Sequence, residues 1–378
     1  MKNVLILGST GTIGRNTLEV IRSQKDRFNV VGLACKKNKK LLSAQIEEFK
    51  PSYVYMEKRD VDFERKFKNV KFFHGEDGIV ELSTLKEVDF IIFAIPGIKT
   101  LKAFIEAVKH GKTIGLATKE IMVVAGEIIR KLKRKYHSEI LPVDSEHNAI
   151  FQLIEKEKRK EVKKIYLTAS GGPFWGKKVR DVKIKEVLNH PVWKMGKKVT
   201  VDSATMMNKC FEIIEAHYFF SLPYEKIEVV IHPEAIIHGF VEFIDGTMKG
   251  IFHFPDMKYP INYVLNYPER VEIDFRNINF SEIKKLTFTL PDENSPWLVL
   301  ARKSLEEKGS YPVVLNGANE EAVNLFLKNK IKFNQIIKIV EKVISLHKPK
   351  KEVSLEEIYE IDKWAKEKVR KIVEEKRC

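Results

Sequence analysis

NVLILGSTGTIGRNTLEVI, residues Asn3 to Ile21, joins a short apolar run, three glycines and an amphipathic stretch end to end. The run Val4–Leu7 has the β-branched, aliphatic character of a buried strand, and the segment from Thr12 onward has helical spacing. Between them Gly8, Gly11 and Gly14 recur every third residue, a spacing looser than Gly-x-Gly-x-x-Gly. Glycines at a strand-to-helix turn permit a tight bend and a close approach of the backbone to a pyrophosphate, which the helix N-terminus then stabilises.

The next residues repeat the theme. NVVGLA, SYVYM, VDFIIFAI, KTIGLA and EILPV are strand-like, and helix-length amphipathic segments separate most of them. That alternation predicts a doubly wound α/β sheet of Rossmann-like type over residues 1–143. Beyond it the pattern becomes α+β. VKKIYLTAS and IEVVIHP read as strands, and GFVEFIDGTMKGIFHF reads as a hairpin turning at Asp245-Gly246, a pair suited to the positive φ of a type I′ turn. A Pro- and Asn-rich connection runs from about Pro268 to Pro296. The remaining residues are helical, the last segment opening with a capping box at Ser354–Glu357 and a predicted apolar stripe of Ile358, Ile361, Ala365, Val369 and Ile372.

Composition narrows the function. At 378 residues with 44% hydrophobic residues the chain can fill more than one core, and no apolar run approaches the length of a membrane span. No signal or transit segment is legible at the start, and Cys35, Cys210 and Cys378 form no Cys-x-x-Cys pair, so a reducing, cytoplasmic setting is expected. The net charge of +15 raises the question of nucleic acid, but Lys and Arg are spread along helical segments mixed with Glu, with no aromatic-interleaved patch. Such runs are solvated faces, and neither a nucleic-acid nor a membrane partner is expected. The Lys- and Glu-rich 31% charged content also suits a heat-adapted protein.

After the second strand comes Lys36-Lys37-Asn38-Lys39-Lys40. A site for NAD usually carries an acid there to hold the ribose 2′-hydroxyl. Cations with no acid suit a 2′-phosphate, so NADPH is the expected cofactor.

PVDSEHNAIFQ, Pro142 to Gln152, sets Asp144 and Glu146 two residues apart after an apolar strand, with His147 beside them. On a strand, alternate residues share a face, so two hard oxygen donors can converge on Mg²⁺ or Mn²⁺. A third donor is available in DSATMMNKCFEIIEAH, where Asp202-Ser203 reads as a helix start and Glu212 and Glu215 lie three apart on that helix. Ser203, Asn208 and Lys209 in its first turns are candidates for an anion, and Ser170 before Gly171-Gly172 is another. NHPVWKMG ends in a loop, His190 to Gly196, that carries Trp193 and Met195 as a lid over a ligand would.

LGSTGTIG, ATKE, LPVDSEHNAIFQ, SGGPF, HPVWKMG, VDSATMMNKCFEIIEA and NEEAVNLFL together resemble the 1-deoxy-D-xylulose 5-phosphate reductoisomerase family, in its order and along nearly the whole chain. The resemblance implies an NADPH domain (residues 1–143), a catalytic and connective domain that pairs two subunits (144–267), a linker (268–297) and a C-terminal helical domain (298–378). It implies rearrangement and NADPH reduction of a phosphorylated sugar by a metal-dependent homodimer. Glu212 would join Asp144 and Glu146 on the metal, with Glu215 one turn on. Lys119, Ser145, Ser170, His190, Ser203, Asn208 and Lys209 match substrate positions. Thr10, Gly11, Thr12, Ile13, Lys37, Asn38, Glu120 and Gly196 match cofactor positions. Lys36 stands where the family usually has Gly, Thr118 where it has Asn, and Cys210 where it has Gly, the first two at cofactor contacts. The alternative is another NADP-dependent small-molecule reductase without the isomerase step.

Overall fold

The computed structural model of the chain describes residues 1–177 and 182–375; Cys378 lies outside the described residues. The chain forms two compact units. Met1–Ile121, Glu127–Asn148 and Asp256–Phe275 make the first, and Met122–Gly126, Ala149–Pro255 and the chain from Arg276 onward make the second.

The first unit follows the alternation in the sequence. In chain order come β1 (Lys2–Leu7), α1 (Thr12–Ser23), β2 (Phe28–Cys35), α2 (Lys39–Phe49), β3 (Tyr53–Met56), α3 (Val61–Glu64), β4 (Lys71–His74) and α4 (Gly75–Thr84). Then follow β5 (Phe90–Phe93), α5 (Leu101–Lys109), β6 (Thr113–Leu116), α6 (Lys119–Tyr136) and β7 (Glu139–Pro142). The strands form one parallel sheet in the order β4-β3-β2-β1-β5-β6-β7, so the winding reverses between β1 and β5. Val4–Leu7 and Phe90–Phe93 are wholly buried, as central strands covered on both faces must be. The strand β4 was not expected from the sequence. Lys71-Phe72-Phe73-His74 is too short and too charged to announce itself, and its register with β3 places it at the edge.

The glycine loop serves the turn itself. A Cβ on Gly14 would lie 2.3 Å from the Gly8 carbonyl oxygen, and one on Gly8 would lie 2.6 Å from that of Ala94. Gly8 also sits at φ +97°, so the close packing of loop, strand and helix requires glycine whatever binds above it.

One segment returns to this unit late. The helix of Lys258–Asn266 packs on α1 through a buried amide cluster. Gln24 Nε2 donates to Asn262 Oδ1 at 2.6 Å, Asn266 Nδ2 donates to Gln24 Oε1 at 2.9 Å, and Lys2 Nζ donates to the Leu265 carbonyl at 2.8 Å. Each buried amide thereby has partners, which such groups need.

The next helix, α7 (Ser145–Ile154), begins in the first unit and ends in the second. The second unit continues with β8 (Val162–Ala169), α8 (Ile184–Val187), α9 (Lys197–Ala204), α10 (Met207–Phe220), β9 (Ile227–Ile231), β10 (Ile237–Phe243) and β11 (Met248–Phe252). With α11 assigned to the returning helix, α12 (Pro296–Glu307), α13 (Ser310–Leu327), α14 (Gln335–Ser345) and α15 (Leu355–Glu375) complete it. Its sheet has the order β11-β10-β8-β9, antiparallel except for β8 with β9.

The β10–β11 hairpin is where expected, but its turn differs. Gly246 N–H donates to Phe243 O and Phe243 N–H donates to Thr247 O, closing a three-residue loop with only Gly246 at positive φ. Asp245 instead accepts from the Thr247 N–H and hydroxyl, so it organises the loop without entering the left-handed region. In α15 the capping box forms, with Ser354 N–H donating to Glu357 Oε2 at 2.8 Å and Glu357 N–H to Ser354 Oγ at 3.2 Å. Its buried stripe carries Asp362 in place of the expected Ile361, and Lys366 Nζ lies 2.7 Å from that carboxylate.

Candidate functional site

The first unit gathers candidates at the carboxyl ends of its strands. Here α1 starts after Gly11 with no side-chain cap, which leaves its first amides to an anion. Thr10 Oγ1 lies 3.3 Å from Cys35 Sγ and ties the loop to the end of β2. Thr12 and Ile13 form the first turn of α1. Asn38 Oδ1 accepts from Leu41 N–H and so caps α2, while Lys37 is exposed beside it. Thr118 is turned away from solvent: its hydroxyl donates to the carbonyls of Phe93 and Ile95, tying the end of β6 to that of β5. Glu120 is buried in the first turn of α6.

Asp144 and Glu146 are not on a strand. β7 ends at Pro142, and Asp144 already accepts the Asn148 N–H at 2.8 Å, the first bond of α7. Asp144 is therefore the residue before the helix and Glu146 lies in its first turn, where carboxylates are favoured by the macrodipole. Lys119 Nζ is 2.6 Å from Asp144 Oδ2, and Ser145 Oγ donates to Glu146 Oε2 at 2.6 Å.

In the second unit the expected helix start at Asp202-Ser203 is displaced. Those residues lie in the last turn of α9, and α10 begins only after Met206, which at φ +62° breaks the helix. Ser203 therefore comes from the end of one helix and Asn208 and Lys209 from the beginning of the next. Glu212 is 1% exposed, and its two oxygens have separate partners: Asn208 Nδ2 donates to Oε1 and Lys209 Nζ to Oε2. Glu215 is buried one turn further along.

Three hydrogen-bonding groups meet at His190. Its Nδ1 accepts from the backbone N–H groups of Val192 (3.1 Å) and Trp193 (2.9 Å), which fixes the proton on Nε2. Nε2 lies 3.2 Å from Ser170 Oγ and 3.1 Å from Ser203 Oγ. A ring N–H and two hydroxyls thus converge, a neutral arrangement suited to phosphate oxygens. Gly171 and Gly172 hold it together, both at positive φ; a Cβ on Gly172 would lie 2.7 Å from the Ser203 carbonyl oxygen. Burial lowers the pKa of His190 from its ordinary value. The neutral ring is the form that the two amides need, so it stays neutral to a lower pH than an ordinary imidazole does. Its ring protons followed by NMR should titrate with a midpoint below about 6.5; a midpoint at or above that value would mean that the amides do not hold Nδ1.

The loop expected as a lid is irregular from His190 to Gly196 and leads straight into α9. The Trp193 ring lies 6.0 Å from His238, edge to face, and Met195 is half-buried, whereas Gly196 is exposed and has nothing near its Cβ position.

Two features were not foreseen. Asn319, within NEEAVNLFL, donates from Nδ2 to Asp202 Oδ1 at 2.8 Å, and Lys198 pairs with the other oxygen at 2.7 Å. That motif anchors the helix that carries Ser203; its pattern of small and polar residues inside an apolar helix was the available signal. The other is Glu57, whose carboxylate is 3.0 Å from Lys36 Nζ. No local pattern could place it there, because it follows a different strand.

The donor chemistry fits the groups expected from the sequence. Asp144 and Glu212 each draw a lysine ammonium within their own unit, as a cation-seeking oxygen does, and all the acids offer hard oxygens of the kind Mg²⁺ takes. The uncapped start of α1 fits a pyrophosphate.

Comparison with known proteins agrees along the length of the chain. Residues 4–126 match the family model for 1-deoxy-D-xylulose 5-phosphate reductoisomerase, residues 140–220 that of its C-terminal domain, and residues 253–368 a further model, DXP reductoisomerase C-terminal domain. The 1-deoxy-D-xylulose 5-phosphate reductoisomerase of Thermodesulfovibrio yellowstonii is 50% identical over 99% of this chain and 100% of that protein. The one from Chlorobium chlorochromatii is 45% identical over 97% and 98%. The solved reductoisomerase from Zymomonas mobilis in complex with NADPH superposes with a TM-score of 0.91 at 36% identity, covering 99% of each chain. A DOX-P reductoisomerase in complex with NADPH, fosmidomycin and magnesium gives 0.92 at 34% identity, covering 99% and 98%. With fold, motif order and full-length relatives in agreement, the chain belongs to the 1-deoxy-D-xylulose 5-phosphate reductoisomerase family.

Proposed function

We propose that the chain converts 1-deoxy-D-xylulose 5-phosphate to 2-C-methyl-D-erythritol 4-phosphate by rearrangement and NADPH-dependent reduction, with Asp144, Glu146 and Glu212 holding a divalent cation, Mg²⁺ or Mn²⁺. The convergence of Ser170, His190 and Ser203 carries this reading, because it provides three neutral donors for a phosphate that a reductase of unphosphorylated substrates would not need.

When bound, the cation supplies Lewis-acid polarisation of neighbouring substrate oxygens and the dinucleotide supplies hydride. The remaining work belongs to the chain. Neutral His190 donates through Nε2–H, and the hydroxyls of Ser170 and Ser203 rotate to donate beside it. Asn208 and Lys209 hold the carboxylate of Glu212 and extend the polar surface of α10. Lys119 beside Asp144 contributes positive charge for the reacting oxygens. Binding energy from the phosphate end orients the reacting end, which raises the rate beyond simple affinity. Trp193 and Met195 close over the substrate and exclude water from the aldehyde stage. Thr10 to Ile13 and α1 take the pyrophosphate, and Lys36, Lys37 and Asn38 take the adenosine end; Thr118 acts by tying strand ends together, and Glu120 and Gly196 complete the cofactor positions.

A homodimer in the cytoplasm is part of the same reading. Among the described residues no helix is long and apolar enough to cross a membrane. The outermost strand β11 exposes Met248 and Phe252, with Ile244 in its turn, which supports pairing through this sheet edge.

The experiment is the loss of NADPH absorbance on adding 1-deoxy-D-xylulose 5-phosphate, with Mg²⁺ and then with excess EDTA. Oxidation that EDTA stops is the expected result. Oxidation indifferent to EDTA would replace the reading by a metal-free reductase, and no oxidation with Mg²⁺ would reject the activity.

A further inference from the structure

We infer that Glu57 determines how strongly this chain prefers NADPH over NADH, by opposing Lys36 at the position of the ribose 2′-substituent. The inference rests on the reading that a dinucleotide lies across the carboxyl ends of β1 and β2.

In a doubly wound sheet the adenosine ribose sits at the end of the second strand, where an acid favours a free 2′-hydroxyl and a cation favours a 2′-phosphate. The segment after β2 contains only cations and Asn38. The fold supplies the missing acid from the side. Cys35, the last residue of β2, is in register with Met56, the last residue of β3. Lys36 and Glu57 are therefore matching first residues beyond two hydrogen-bonded strands, and Lys36 Nζ lies 3.0 Å from Glu57 Oε1. The hydrogen bond from Lys36 holds the Glu57 carboxyl below its ordinary value, so it is ionised at neutral pH.

The same pattern recurs one turn on. Lys39 pairs with Asp60, which caps α3. Two cations of the lysine run thus face acids that follow β3, and the local field is less positive than the sequence indicates. Lys36 and Glu57 are both partly exposed, so their mutual attraction adds little stability. Their effect on an incoming phosphate is another matter. A 2′-phosphate must share Lys36 with Glu57 and is repelled by its charge, whereas a 2′-hydroxyl can donate a hydrogen bond to the same carboxylate.

The two residues therefore act in opposite directions on one choice. For charges roughly 6 Å apart at a surface, removing Glu57 should favour the phosphate by about threefold to tenfold. A bystander ion pair would move affinity for both dinucleotides together or for neither.

The test is titration of the protein with NADPH and with NADH, followed by ligand fluorescence, for the unsubstituted chain, Glu57→Gln, Lys36→Gln and the double variant, each checked for an unchanged melting temperature. Glu57→Gln should tighten NADPH by about threefold to tenfold and leave NADH equal or weaker, while Lys36→Gln weakens NADPH. In the double variant the gain from Glu57→Gln should persist, because repulsion of the phosphate does not need Lys36. An NADPH-to-NADH affinity ratio unchanged within twofold by Glu57→Gln would overturn the role of Glu57 and leave the cofactor reading standing. Failure of the unsubstituted chain to bind either dinucleotide saturably would overturn the cofactor reading, and this role with it.

Discussion

Glu212→Gln should lower turnover by more than about a hundredfold while the affinity for NADPH changes by less than about twofold. Loss of an outer partner of a metal ligand already costs 10- to 100-fold in metal affinity or activity, so loss of a ligand should cost more. The amide keeps the volume of the side chain but not its charge. One of its two terminal atoms can still accept from Asn208, and the other then presents N–H groups to Lys209, where the carboxylate now accepts. Steady-state rates at rising Mg²⁺, beside a dinucleotide titration, separate the two effects. Retention of most of the activity at ordinary Mg²⁺ would remove Glu212 from the cation site, and a parallel collapse of NADPH affinity would point to a structural failure instead.

Lys209→Met should cost about 3–5 kcal/mol of stability, the usual penalty for breaking a buried ion pair from one side. Lys209 is 3% exposed and donates both to Glu212 and to the Thr168 carbonyl at the end of β8, so it ties α10 to the sheet as well as balancing a carboxylate. Methionine fills much of the space but leaves the carboxylate short of positive charge. A cation from solution can supply it. Added Mg²⁺ should therefore raise the melting temperature of the variant more than that of the parent, by mass action on the folded state. Equal melting temperatures for variant and parent without metal would show that the pair contributes nothing to folding. An equal response to Mg²⁺ would show that Glu212 does not draw the cation.

The site was partly legible in the sequence, and the errors have physical causes. The alternation of β-branched runs with amphipathic segments fixes strand and helix order because each obeys a different period, and the structure follows it except at β4. There, two aromatic residues between charged neighbours form a strand only because β3 offers an edge. Asp144 and Glu146 were read with strand geometry, yet the chain turns after Pro142; Asp144 before Ser145-Glu146, with Ala149, Ile150 and Ile154 buried beyond, carries a helix-start signal that was available. Asp202-Ser203 has the composition of a cap, but the break falls at Met206, where nothing in the residue type announces a left-handed conformation. The tautomer of His190 is set by amides two and three residues later, a local device invisible without coordinates. Glu57 meets Lys36 only through the pairing of two strands, so it belongs to tertiary structure alone.

The late return of Asp256–Phe275 to the first unit has a consequence for synthesis. A nascent chain released from the ribosome tunnel as far as Asn148 has every strand of the parallel sheet but lacks the helix whose amides satisfy Gln24 and cover α1. More than a hundred further residues must be translated before that helix emerges, which at ordinary elongation rates takes about 5–20 s. Through that interval the amino-terminal sheet waits with one flank uncovered while Ala149–Pro255 of the second unit emerges. A fragment cut at Asn148 inherits the same exposed flank permanently, because the complete nucleotide fold draws on two distant stretches of the chain.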